Sequence, residues 1–175
     1  MRLKGWDYGK PAYYFITICC QDKECLFGDV VDGKMLLNKS GQFVMECWKA
    51  IPKHFPHAAI HEFVIMPNHI HGIIQIKTKF VRPSNELEKM KYEGGNHDSP
   101  LHQTTFRSPS MTIGSIVRGF KIGVTKWMRQ NTNVFHVWQR DYYDDIIWNQ
   151  EEFERIVKYI QKNPLNWNKK RNPKK

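Results

Sequence analysis

The run AIHEFVIMPNHIHGIIQI, residues 59–76, constrains the fold more than any other stretch of the chain. Apolar and β-branched side chains crowd it, the composition of a strand buried inside a sheet. Pro67 cannot donate to a ladder, so the sequence predicts one long strand, bent or interrupted there. His69 and His71 stand one residue apart within this run. Alternation along a strand puts both on one face, and Ile70, Gly72 and Ile74 on the other. Two neutral imidazoles side by side make a bidentate metal clamp, since histidine is the commonest metal-ligating side chain. A divalent ion needs at least one more ligand. The spacing alone is weak, because core or edge histidines with backbone partners satisfy it equally well.

Around this run the chain reads as strand, hairpin, helix, strand, loop, helix, strand, helix. AYYFITICC (12–20) is β-branched and aromatic and predicts a strand. GDVVDGKMLLN (28–38) predicts a hairpin turning at Asp32-Gly33. From Ser40, the residues Phe43, Val44, Cys47, Trp48 and Ile51 recur at helical spacing, and Pro52 and Pro56 close that helix. A further helix begins at Thr112. Its Ile113, Ile116, Val117, Phe120, Val124, Trp127 and Met128 share one face, with Arg118, Lys121 and Arg129 on the opposite one. FHVWQRDYYDDII (135–147) predicts a strand and its exit. The last helix opens at Asn149 with Glu152 as its capping-box partner and stops at Pro164. Residues 78–110 carry Pro, Gly, Ser and charge without period and predict an inserted mobile loop, with His97 and His102 solvated. Residues 166–175 predict a basic tail. The whole is expected to be one α+β domain over 1–175, an antiparallel sheet with helices on one face.

Lys and Arg number 27 against 17 Asp and Glu, a formal charge of +10. Such an excess points to a polyanionic partner, nucleic acid or an anionic membrane, with a plain solubility charge as the bland alternative. No apolar run approaches the roughly 20 residues of a spanning helix, and MRLKGWDYGK has no apolar signal core, so a membrane is not expected. Six Trp and seven Tyr supply rings that can stack on bases. The four cysteines, Cys19, Cys20, Cys25 and Cys47, form no C-x-x-C pair and are expected as reduced thiols in a cytoplasm.

The last helix adds a second reactive group. Phe153, Ile156, Val157 and Ile160 define its buried face, Tyr159 stands on the shoulder of that face, and Asn163 follows one turn on. An edge tyrosine beside a C-capping asparagine is the bland reading. The chemical one is a metal held by His69, His71 and Asn163 that polarises a phosphodiester while Tyr159 attacks phosphorus. A phenol ionises only near pH ~10 in water, so a nearby cation is needed to make it a nucleophile. Attack by tyrosine would conserve the bond energy in a covalent phosphotyrosine. Tyr142 and Tyr143 are rival nucleophiles without a ligand-type residue one turn away. Asp144 or Asp145 offers an alternative acidic ligand, and core packing is the reading for Trp138.

MPNHIHG resembles the histidine–hydrophobe–histidine (HUH) motif of single-tyrosine transposases, and YIQKNP resembles their tyrosine helix. YYFITICC, the GFK of SIVRGFKIGVTKW and WQRDYYDDII extend the likeness over about residues 12–77 and 111–167. The branch it is most similar to is the REP-associated tyrosine transposases, related to the smallest insertion-sequence transposases. The resemblance implies a ferredoxin-like fold with the histidine strand central in the sheet. It implies Mg²⁺ or Mn²⁺ at His69 and His71, Tyr159 as nucleophile, and Asn163 where the smallest relatives carry glutamine. The substrate would be single-stranded DNA with REP-like palindromic hairpins, acted on by a monomer or a homodimer in the bacterial cytoplasm, at the nucleoid. Lys121, Arg118, Arg129 and Lys126 are the candidate DNA-binding residues, Lys121 at the backbone or the scissile phosphate. Two other readings stand beside this one. A replication-initiator nuclease shares the motif but usually carries further domains, for which 175 residues leave no room. A domesticated, non-catalytic nucleic-acid-binding protein needs neither metal nor nucleophile.

Overall fold

The computed structural model describes residues 5–77 and 111–167. The expected loop over 78–110 and the tail beyond Trp167 lie outside them. Strand β1 (Ala12–Cys19) is followed by a hairpin of β2 (Gly28–Val31) and β3 (Lys34–Leu37). Helix α1 (Lys39–Lys49) and the short α2 (Ile51–His54) lead to β4 (Ala58–Met66) and β5 (His69–Ile76). Helix α3 (Ile113–Asn131), strand β6 (Tyr143–Ile147) and helix α4 (Gln150–Gln161) complete the order.

Four strands form one sheet in the order β4-β5-β1-β6, with every neighbouring pair antiparallel. Leaving aside the β2–β3 hairpin, which forms its own two-stranded sheet, the order is the ferredoxin-like β-α-β-β-α-β, with the histidine strand interior. The hairpin turns where expected, because Asp32 and Gly33 both adopt positive φ, at 50° and 72°.

The run 59–76 is not one bent strand. Met66 pairs with His69 across a two-residue connection, Pro67-Asn68, so β4 and β5 are a hairpin. Proline's fixed φ suits the first turn position, and asparagine is a common turn residue. β5 is interior and largely buried, whereas β4 is the edge strand and mostly half-buried.

The helices divide between the faces of the sheet, contrary to the one-sided arrangement expected. α1 and α3 cover the face bearing Tyr14, Ile16, Ile18, Ile70 and Ile74. Ile156 and Ile160 of α4 pack on Ile73 and Ile147 of the other face. Alternation explains the split: Ile73 and Ile74 are neighbours in sequence and point to opposite sides, so β5 offers two apolar faces and each needs a cover. Burying one such side chain contributes about 1.5–3 kcal/mol. Gly72 points toward α1, where a Cβ would run into the Trp48 ring.

Two boundaries also differ. Pro52 does not end the first helical segment; it sits in the first turn of α2, where its missing N–H costs nothing. Only 143–147 of the expected strand 135–147 pairs continuously, and Trp138 makes an isolated bridge to Cys20. The helix starts were legible: Thr112 caps α3 by accepting from Ser115, and Asn149 caps α4 by accepting from Glu152.

Candidate active site

β5 delivers His69 and His71 to the face covered by α4, and α4 delivers Tyr159. The ring centroids of the two histidines are 4.5 Å apart. The Tyr159 hydroxyl lies 3.3 Å from Nε2 of His71. Tyr159 is 41% exposed while His71 is only 6% exposed, so the phenol meets the imidazole at a surface open to solvent. Phe15 stacks on His71 at 5.4 Å and meets Tyr159 edge-on at 6.0 Å, fixing both rings from β1.

Each histidine is oriented through its other nitrogen. Nδ1 of His71 lies 2.8 Å from Thr17 Oγ1, and Nδ1 of His69 lies 2.7 Å from Asn68 Oδ1. The Asn68 amide nitrogen donates to the Lys23 carbonyl, so its oxygen is the atom that accepts from His69. Asn68 Oδ1 can only accept, so His69 Nδ1 is the donor and its Nε2 is basic. The same tautomer of His71 satisfies both of its hydroxyl partners, with Nδ1 donating to Thr17 and Nε2 accepting from Tyr159. That is the state a metal ligand requires.

Asn163 follows α4 and is 3% exposed. Its amide Nδ2 is buried without a hydrogen-bond partner. A 180° turn about the amide would aim the oxygen along the same direction. Among the described residues no three His, Cys, Asp or Glu side chains gather around one point, which leaves Asp144 and Asp145 outside any such cluster with the histidines. Imidazole nitrogens, an amide oxygen and water are ligands that divalent ions accept, and no thiolate is among them. The residues fit the implied metal.

No family model matches the chain. A Haemophilus influenzae protein described only as uncharacterized is 47% identical over 171 residues, covering 95% of this chain and 88% of that one. This chain belongs to that protein's family. Among solved structures, a REP-associated tyrosine transposase bound to a REP hairpin overlays with a TM-score of 0.59 at 17% identity. The match covers 95% of this chain and 74% of that one. The two share a fold, the one implied by the sequence resemblance. A second structure, from Deinococcus radiodurans, overlays with a TM-score of 0.40 at 10% identity.

The rival tyrosines separate in space. Tyr142 packs against the large core. Tyr143 is exposed on β6, with β1 between its strand and that of His71. The candidate DNA-binding residues Arg118, Lys121, Lys126 and Arg129 line one open groove of about 900 Å³ between α3 and the segment 138–142. This groove lies on the α3 side of the sheet, whereas Tyr159 is on the α4 side. Lys121 is held there: its ammonium donates to the carbonyls of Gln139 (2.7 Å) and Arg140 (3.1 Å). Burial lowers its pKa below the usual lysine value, and Asp141 partly offsets that. Trp138, expected in the core, is part-buried and donates from Nε1 to the Lys121 carbonyl.

Sequence reading missed Thr17, Asn68 and Phe15. Thr17 and Phe15 alternate along β1 and so share a face, but their contacts with His71 depend on a register that no local pattern encodes. Asn68 lies in the β4–β5 turn, within a run that the sequence reads as strand.

Proposed function

We propose that the protein is a metal-dependent single-stranded DNA transposase that cleaves and rejoins strands at palindromic hairpin elements through Tyr159. The observation that carries this is the meeting of the Tyr159 hydroxyl with His71 Nε2, beside His69.

His69 and His71 would hold Mg²⁺ or Mn²⁺ through Nε2, and Asn163 through its amide oxygen. When bound, the ion supplies charge stabilisation to the phosphoryl oxygens and favours the phenolate. Tyr159 Oη attacks phosphorus, a new P–O bond to tyrosine forms and the bond from phosphorus to the 3′ oxygen breaks. The departing 3′ oxygen takes up a proton, leaving a free 3′-OH and a 5′-phosphotyrosine. Reversal with another 3′-OH rejoins the strand without ATP. Thr17 and Asn68 keep the imidazoles turned for this, and Phe15 keeps the phenol beside them.

The basic groove on the α3 side supports a binding role for Arg118, Lys126 and Arg129 along sugar–phosphate, away from the reacting atoms. Lys121 supports the loop 139–141 that forms one wall. The solved neighbour's hairpin partner makes a REP-like hairpin the first substrate to try. Among the described residues no helix is long and apolar enough to cross a membrane. A strand-processing role would place the protein with the bacterial nucleoid in the cytoplasm.

The test is incubation of the protein with labelled single-stranded hairpin DNA and Mn²⁺, followed by denaturing electrophoresis. Wild type is expected to carry label covalently, and Tyr159→Phe to bind DNA but carry none. Binding without an adduct in the wild type would leave the non-catalytic nucleic-acid-binding reading.

A further inference from the structure

Beside the candidate centre lies a second cavity that the strand-transfer chemistry does not use. It has a volume of about 310 Å³ and is lined by Phe15, Thr17, Tyr143 and Asp145, together with Asp144. The sheet register builds it. Tyr143 pairs with Thr17, which pairs with His71, so these three side chains stand in one row on one face. Asp145 pairs with Phe15, which pairs with Ile73, in the adjacent row of the same face. Each row thus contributes one ring and one polar group, placed crosswise. Phe15 is shared with the centre, since the same ring contacts His71 and Tyr159.

Tyr143 is 64% exposed and sits at the rim of this cavity on the edge strand. Its ring presents a face on which a planar ligand can stack. The Asp145 carboxylate is fixed at one oxygen, which accepts from the Ile146 amide at 3.0 Å. A carboxylate only accepts hydrogen bonds, and it would repel a phosphate. It therefore suits a ligand edge that presents donors. Guanine alone among the bases offers two adjacent donors, N1–H and the 2-amino group, to one carboxylate.

We infer that the cavity between Phe15 and Tyr143 is a base pocket that receives an unstacked guanine flanking the scissile phosphate, with Asp145 reading its Watson–Crick edge. The inference rests on the strand-processing reading above. Reading an extruded base by stacking and edge hydrogen bonds is an established way to select nucleotides. Thr17 links the two sites, because its hydroxyl holds His71 on one side and lines the pocket on the other.

The experiment measures equilibrium binding of short fluorescent oligothymidines carrying a single guanine, inosine, adenine or cytosine. The Tyr159→Phe chain with Mn²⁺ is used, so that no strand is cut. Guanine is expected to bind about tenfold tighter than inosine, which lacks the 2-amino donor. Adding Asp145→Asn should erase that preference with general affinity kept. Adding Tyr143→Ala should weaken every oligonucleotide carrying the single base about tenfold, and Tyr143→Phe should restore it. Melting temperatures of all variants report whether the fold survives. Equal binding of guanine and inosine, or a guanine preference that survives Asp145→Asn, overturns the pocket and leaves the Tyr159 chemistry standing. Failure to bind any single strand removes both.

Discussion

The Tyr159 hydroxyl and His71 Nε2 lie 3.3 Å apart although 88 positions separate the two residues in the chain. Nothing local brings them together. The β5 register turns His71 toward the α4 side, and the small core of Ile73, Ile147, Ile156 and Ile160 seats α4 over it. Tyr159 is therefore placed by a core of four isoleucines.

The hydroxyl of Thr17 is the outer support of this pair. Replacing it with Val keeps the shape of the strand residue and removes the partner of His71 Nδ1. Thr17→Val is expected to weaken Mn²⁺ binding and slow adduct formation by about tenfold to a hundredfold, with a melting temperature near wild type. Titration calorimetry with Mn²⁺ checks it, and unchanged affinity would contradict the orienting role.

Gly72 follows His71 in β5 and points to the opposite face, at Trp48. Gly72→Ala should cost about 1–3 kcal/mol by overpacking, because the Trp48 ring is fully buried and cannot retreat into solvent. Urea denaturation measures the loss. A wild-type midpoint would show that the α1 side yields more readily than its packing implies.

Much of this fold was legible in the sequence, and the parts that were not share a cause. Helix starts at Thr112 and Asn149 and the Asp32-Gly33 turn are set by local hydrogen bonds and φ preferences, so a few residues suffice to read them. The β4–β5 hairpin was hidden because two apolar strands joined by Pro67-Asn68 look like one run. The second helical layer was hidden for a related reason. Ile73 and Ile74 reveal two apolar faces only once the sheet is known to be covered on both. His69, His71 and Tyr159, singled out by residue type and spacing, come together in the structure. Thr17 and Tyr143 took their significance from cross-strand register, which is a property of the assembled sheet.

His57 is buried, and its Nε2 has no hydrogen-bond partner. Burial lowers its pKa below 6.5. The unfolded chain then binds a proton that the folded chain refuses, so stability is full above pH ~6.5 and falls as the pH drops below it. Melting temperatures measured from pH 8 downward should show this fall, and His57→Leu should reduce its slope. An unchanged slope in the variant would assign the acid sensitivity to other groups.

The cysteines should differ sharply in reactivity. Cys25 is exposed, whereas Cys20 is fully buried and its thiol pKa is raised well above the usual range, chiefly by that burial. Iodoacetamide is expected to label Cys25 in the native protein and Cys20 only after denaturation. Peptide mapping reads the result directly, and native labelling of Cys20 would mean that the end of β1 opens.

The central claim concerns which oxygen bonds to phosphorus. Tandem mass spectrometry of the peptide recovered from a DNA adduct, formed with single-stranded hairpin DNA and Mn²⁺, locates that bond. The account predicts a nucleotide on Tyr159, within the peptide that spans α4. A nucleotide on Tyr142 or Tyr143, or an adduct that forms equally well after His71→Ala, would contradict it.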